Sequence, residues 1–423
     1  MNTFIQKITL LFKDASLRNR LLFVLGALVI FRALATIPIP GINAAQLELF
    51  FANNQFFGLL NLFSGGGLSN LSIVMLGVGP YITASIILQL LTMMVPRLKA
   101  LYQEEGEIGR QRFSQYTRML TFPIAVVQGV SFLLILQREG IMVGLTPFQF
   151  AVNLLVVVAG SMFLMWLGEL ISEFGLGNGV SVIIFAGIVA GLPSQISQAL
   201  FAFTPAQLPL YIAFTAATVA IITAVVVVTE AERPIPVTYA KRVRGMKFFG
   251  GASTYLPLRL NQAGVIPIIF ALSLLLIPQM VATFFATSSY TWLAQGSAAV
   301  LGGLQHLGVY GTLYFFLVFL FTYFYTAVTF DPHQIAENLQ KNGAFIPGVR
   351  PGASTVEHLG NVITRITFVG ALFLGIIAVL PIIMQSITDI QSLTLGGTAL
   401  LIVVSVVLDL ARRIDAQISI REY

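Results

Sequence analysis

The chain has 423 residues, 57% of them hydrophobic and only 9% charged, with a formal net charge of +6. Soluble domains carry about 25% charged residues, so this composition excludes a soluble reading of the chain and points to an integral membrane bundle. It has no cysteine, which removes disulfides and thiolate metal sites, and His306, His333 and His358 show no ligand spacing.

In chain order, Lys7, Lys13, Arg18 and Arg20 precede a first apolar run at 21–37. No small-residue cleavage site follows, and the run continues through Arg32 into Pro38-Ile39-Pro40. It therefore reads as an uncleaved first span rather than a signal peptide. From Leu49 to Pro96, 48 residues pass without a charge, with Ser64-Gly65-Gly66-Gly67 in the middle. A bilayer core takes about 20 apolar helical residues to cross, so this run is too long for one span. Asn53, Asn54, Gln55 and Asn61 interrupt its first part, which predicts a short helix that enters the membrane zone without crossing it. Its second part, Ser72 to Val95, predicts a full span. Non-helical backbone at membrane depth survives only inside protein or beside a water-filled cavity, so the stretch implies a hole with something in it. Further spans are predicted at 119–136, 150–170, 180–199, 209–229, 264–285, 308–328, 366–384 and 393–411, which makes ten.

The ten-span count partitions the charge. Of the 23 Lys and Arg residues, 21 fall on one face; Arg138 lies on the other and Arg32 within the first span. The positive-inside rule puts that face, with both termini, in the cytoplasm. Two loops on it are long. One, Glu230 to Gln262, is basic with Tyr239, Phe248, Phe249 and Tyr255 interleaved; the other runs from Thr329 to Thr364. They read either as a charge belt touching anionic lipids or as a docking surface for a large acidic partner such as a ribosome. Loop length favours docking.

Gly77-Val78-Gly79-Pro80 and Gly264-Val265-Ile266-Pro267 share a Gly-Val-x-Pro pattern five spans apart. An odd number of spans puts the copies in opposite orientations, as in an inverted repeat with its working site between the halves. No acidic residue sits at a span centre, where a secondary transporter would need one. There is no Walker A pattern, HExxH or Gly-rich fingerprint. An enzyme is therefore not expected, nor a cofactor or metal. A scaffold or insertase without a through-pore is the other rival reading.

Ordered motifs cover nearly the whole chain. They include Pro38-Ile-Pro-Gly41, Asn61-Leu-Phe-Ser-Gly-Gly66, Pro80-Tyr-Ile-Thr-Ala-Ser-Ile-Ile87, Phe163-Leu-Met-Trp-Leu-Gly-Glu169, Gly177-Asn-Gly179, Ile184-Phe-Ala-Gly-Ile-Val-Ala-Gly191, Ala263-Gly-Val-Ile-Pro267, Phe345-Ile-Pro-Gly348, Arg350-Pro-Gly352 and Gly396-Gly397. In these the chain resembles the SecY/Sec61 alpha family of protein-conducting channels. The resemblance implies an all-α polytopic fold of ten transmembrane helices in two inverted five-helix halves, residues 1–200 and 201–423, around a central pore. A re-entrant plug helix would cover roughly 57–70, with Phe57, Asn61, Phe63, Ser64, Gly65, Gly66, Gly67 and Asn70. A pore ring would comprise Val78, Ile82, Val180, Ile184, Ile269 and Ile402, two of the six being Val where the family commonly has Ile. A lateral gate would set Ser85, Gln89 and Thr92 against Asn261 and Gln262. Lys241, Arg242, Arg244, Lys247 and Arg350 would engage the SecA motor or a translating ribosome. The family also implies SecE- and SecG-like small membrane subunits, signal peptides and nascent chains as partners, and the bacterial cytoplasmic (inner) membrane as location. Family members usually carry a further basic tail beyond the position of Tyr423.

Overall fold

The computed structural model describes residues 14–41, 61, 64–68, 70–103, 105–138, 140–142, 146–201, 205, 208–239, 242–244, 247–249, 253–285, 290–388 and 391–422. The helices are α1 (Ala15–Ala35), α2 (Gly79–Met94), α3 (Pro96–Gln103), α4 (Gly106–Arg138), α5 (Pro147–Phe174), α6 (Gly179–Phe201), α7 (Leu208–Glu230), α8 (Ile266–Phe285), α9 (Thr291–Gln305), α10 (Leu307–Thr329), α11 (Pro332–Lys341), α12 (Ala353–Thr388) and α13 (Gln391–Glu422). Each of the ten expected spans falls on its own helix, and α3, α9 and α11 are additional. Among the described residues five helices are long and apolar enough to cross a membrane alone, or six if the bent pair α2–α3 counts as one span.

The second span differs from expectation. Its helix starts at Gly79, not Ser72, because residues 64–68 and 70–78 run through turns apart from a β-bridge at Ser72. Leu71 (φ 41°) and Gly77 (φ 57°) adopt left-handed backbone that a right-handed helix cannot include. At the other end α2 and α3 bend by 115°. Val95 is extended (φ −114°, ψ 105°), as the residue before Pro96 should be.

The Gly-Val-x-Pro repeat has a structural counterpart. Gly77 and Gly264 both take positive φ, 57° and 62°. Each is followed by a buried valine, Val78 or Val265, and then by a helix with proline in its first turn. Glycine permits the reversal, and proline is pre-set for a helix start.

One amendment to the all-α reading is the basic loop, which forms strands: β1 (Glu232–Tyr239), β2 (Arg242–Arg244), β3 (Lys247–Phe249) and β4 (Ser253–Arg259). A fifth strand, β5 (Ala344–Phe345), comes from the other long loop and pairs with β1 at Thr238↔Phe345 and Tyr239↔Ala344. The sheet order is β4-β1-β5, so the two loops are one structure. Pro234 and Pro236 lie where β1 pairs with β4 alone, and a strand free on one side tolerates proline. Ile235, Val237 and Leu258 bury against Leu359, Val362 and Ile363 of α12.

Helices α1–α6 and α7–α13 meet along two seams. At one, α2 and α4 touch α8; at the other, α6 touches α13. The main apolar cluster draws on both groups.

Candidate functional site

The six residues expected to form a ring all fall in, or against, the main apolar cluster. Val78 (0% exposed), Ile82 (6%), Ile184 (1%), Ile269 (7%) and Ile402 (1%) are buried in a single cluster, and Val180 packs against it. Val78 lies on the turn that enters α2, and the others come from α2, α6, α8 and α13. Local chemistry aims them. Ser161 Oγ of α5 donates to the Gly77 carbonyl at 2.9 Å, fixing the turn that carries Val78. Asn178 Oδ1 accepts from the N–H groups of Val180 and Ser181 at 3.1 and 3.3 Å. That is the N-cap arrangement asparagine favours, and it sets the start of α6.

The glycine turn packs against α6, the helix that carries Val180 and Ile184. Gly66 N–H donates to the Asn61 carbonyl at 2.9 Å, and Ser64 Oγ accepts from Leu68 N–H at 2.9 Å. Gly65 (φ 67°) and Gly66 (φ 81°) are left-handed. The turn lies between Phe31 of α1 and Gly187 of α6, and Arg32 Nη1 donates to the Gly65 carbonyl at 3.4 Å. Arg32, which the sequence left inside a span without a task, thus reaches the turn. Asn70 Nδ2 donates to the Ala35 carbonyl at 3.3 Å. Phe57 and Phe63, expected in the same plug, lie outside the described residues.

The polar residues expected at the gate make local hydrogen bonds. Gln89 Nε2 donates to Ser85 Oγ at 3.0 Å, Thr92 Oγ1 to the Gln89 carbonyl at 2.6 Å, and Asn261 Nδ2 to the Gly264 carbonyl at 3.2 Å. Gln89 Oε1 and Asn261 Oδ1 are buried without a partner. An unmet buried acceptor costs about 1–3 kcal/mol, so each of these two side chains weakens its own local packing. Gln262 is half-buried beside Asn261. A cavity of about 650 Å³ opens between α2, α4 and α8, lined by Ile87, Pro123, Val127, Ile277 and Val281 among others. Gln128 Nε2 donates to Thr83 Oγ1 at 3.4 Å in its wall.

Of the expected docking residues, Arg242, Arg244 and Lys247 fall on the β2–β3 hairpin, where Arg244 pairs with Lys247. Arg350 is exposed on a turn between Gly348 and Gly352, and its carbonyl accepts from Thr355 Oγ1 at 2.9 Å. Lys241 lies outside the described residues. Ion pairs brace each group of helices: Arg118 Nε to Glu169 Oε1 at 2.6 Å joins α4 to α5, and Arg412 Nη2 to Glu230 Oε1 at 2.7 Å joins α13 to α7. Among the described residues no group of three His, Cys, Asp or Glu side chains is placed to hold a metal. Sequence reasoning missed Phe31, Ser161 and Gly187 as parts of this site. Gly187 stood inside a quoted motif, but nothing in the motif says what it touches.

The family model described as SecY matches residues 72–411. The chain is 42% identical to a protein translocase subunit SecY of Streptomyces scabiei, with 97% of each chain covered. It is 43% identical to that of Thermotoga maritima, over 97% of this chain and 95% of the other. Among solved structures it resembles one described as "The structure of a protein conducting channel", with a TM-score of 0.66 at 20% identity, covering 95% of this chain and 93% of that one. It also resembles Sec61 in a canine ribosome-channel complex, with a TM-score of 0.61 at 20% identity, covering 95% and 93%.

Proposed function

The chain belongs to the SecY family, and from that premise we propose that it is the channel through which unfolded secretory polypeptides cross the bacterial cytoplasmic membrane. The observation that carries the reading is the buried apolar cluster that takes in Val78, Ile82, Ile184, Ile269 and Ile402 with Val180 against it, read as a collar, and the glycine turn packed on α6, which carries Ile184. A polypeptide backbone needs a watery path, because each bare N–H or C=O in lipid costs several kcal/mol. An open path would leak ions. A narrow apolar constriction dewets and blocks them, and branched aliphatics give any passing sequence a collar without a binding site.

The turn at 64–67 acts as the plug, a second seal. The seam of α2 and α4 against α8 acts as the lateral gate, through which hydrophobic segments leave for lipid. Lipid tails give helices no hydrophobic drive to stay together, so an apolar signal peptide can part this seam, whose assigned residues Gln89 and Asn261 each carry an unpaired buried acceptor. The cavity beside it offers that segment an apolar wall. The two five-helix halves part about this seam. The joined loops, with Arg242, Arg244, Lys247 and Arg350, receive the SecA motor or a ribosome, both termini lie on that cytoplasmic face, and anionic lipids border it. SecE- and SecG-like subunits complete the assembly. The function needs no chemistry within this chain.

The test is ion conductance of the channel reconstituted in vesicles with its small subunits. Ile82→Ser combined with Ile184→Ser should raise the resting conductance. Unchanged conductance would remove the collar from the reading.

A further inference from the structure

The glycine turn is held by shape at a point the family resemblance does not assign. An ideal Cβ on Gly187 would overlap Gly65 Cα and would lie 2.9 Å from the Gly65 carbonyl carbon and 3.2 Å from its nitrogen. A Cβ on Gly65 would overlap Phe31 Cζ and lie 3.3 Å from Gly187 Cα. Two backbones therefore touch with no side chain between them, and a buried phenylalanine ring closes the other side. Gly187 is three residues beyond the collar residue Ile184, so both lie on one face of α6.

We propose that Gly187 is the latch for the plug: α6 holds the collar with Ile184 and the plug with Gly187, so a shift of this one helix opens both seals together. The proposal rests on the plug reading above. Close-packed interiors do not yield gradually to an added methyl, so the seated turn and a Cβ at position 187 exclude each other. Phe31 keeps the turn from retreating toward α1. The added atom has to drive the turn out of its seat.

The experiment compares resting conductance of the full chain, reconstituted with its small subunits, in four forms: unchanged, Gly187→Ala, deletion of residues 61–67, and the two changes combined. Gly187→Ala should raise the open population about tenfold, equivalent to about 1.4 kcal/mol. It should add nothing once residues 61–67 are gone. Gly26→Ala in α1, with nothing within 4 Å of its added Cβ, should leave conductance at the resting level. If Gly187→Ala alone fails to accumulate in the membrane, the deletion should restore it. Resting conductance in Gly187→Ala, an equal rise in the deleted background, or accumulation that the deletion does not restore would each overturn the latch. A deletion that leaves conductance unchanged would overturn the plug reading instead.

Discussion

The segment before α2 has two ends held by different physics. Its root is stitched to the body by backbone and side-chain hydrogen bonds. Ile39 N–H donates to the Leu71 carbonyl at 2.9 Å and Ile73 N–H to the Ile37 carbonyl at 3.0 Å, an antiparallel bridge between the exit of α1 and the entry to α2. Ser161 Oγ adds the bond to Gly77, and Asn153 Nδ2 reaches Pro40 O at 3.5 Å. Its tip, residues 64–67, bonds mainly to its own segment, takes one long bond from Arg32 Nη1 to the Gly65 carbonyl at 3.4 Å, and is otherwise seated between Phe31 and Gly187 by fit. Directional bonds at a root resist displacement, whereas a shape contact is lost once the partner surface moves. The same strip of chain can thus stay anchored at one end and leave its seat at the other. Changes at the root should lower stability and leave the seal intact; changes at the tip should do the reverse.

The largest expected effect is at Gly160. A Cβ there would overlap the Ile73 carbonyl oxygen and lie 2.9 Å from its carbon. Gly160→Val should overpack the root by about 1–3 kcal/mol, read as a clear fall in thermal unfolding temperature in detergent and in membrane yield. A variant as stable as the parent would erase the contrast between the two ends. Next is Ser161→Ala, which leaves the Gly77 carbonyl without its donor and should cost about 1 kcal/mol. Its thermal midpoint should drop modestly while resting conductance stays at baseline. A leak from this variant would show that root and tip are one unit. The smallest is Asn153→Ala, whose 3.5 Å contact to Pro40 O is long for a hydrogen bond. A shift in midpoint beyond a few tenths of a kcal/mol, measured by the same unfolding assay, would mean that the exit of α1 carries more of the anchoring than this geometry implies.

The ten spans were legible because hydropathy is local: each is a run of apolar residues on one stretch of chain. The repeat at Gly77–Pro80 and Gly264–Pro267 was legible for the same reason, since φ reversal and a proline helix start are properties of a few adjacent residues. The strands were not. Ile235 and Val237 give only two alternating apolar positions, interrupted by Pro234 and Pro236, and the partner strand β5 is more than 100 residues away. The early turns before α2 were also hidden, because residues 72–78 are apolar enough for a span and only the left-handed backbone at Leu71 and Gly77 stops the helix. Ring positions such as Val180 and Ile402 came from the family resemblance alone, since a lone aliphatic in a span looks like ordinary packing.

Composition and charge by themselves determined that this chain is a membrane bundle and where its apolar segments lie, because the cost of a charge in lipid acts residue by residue. The resemblance of its motifs supplied the kind of channel. Only the tertiary structure decided that the two long loops form one sheet, that Val78, Ile82, Ile184, Ile269 and Ile402 share one apolar cluster, and that Gly65 meets Gly187. Such contacts join residues distant in sequence, and packing sets them through shape, which no single stretch of chain contains.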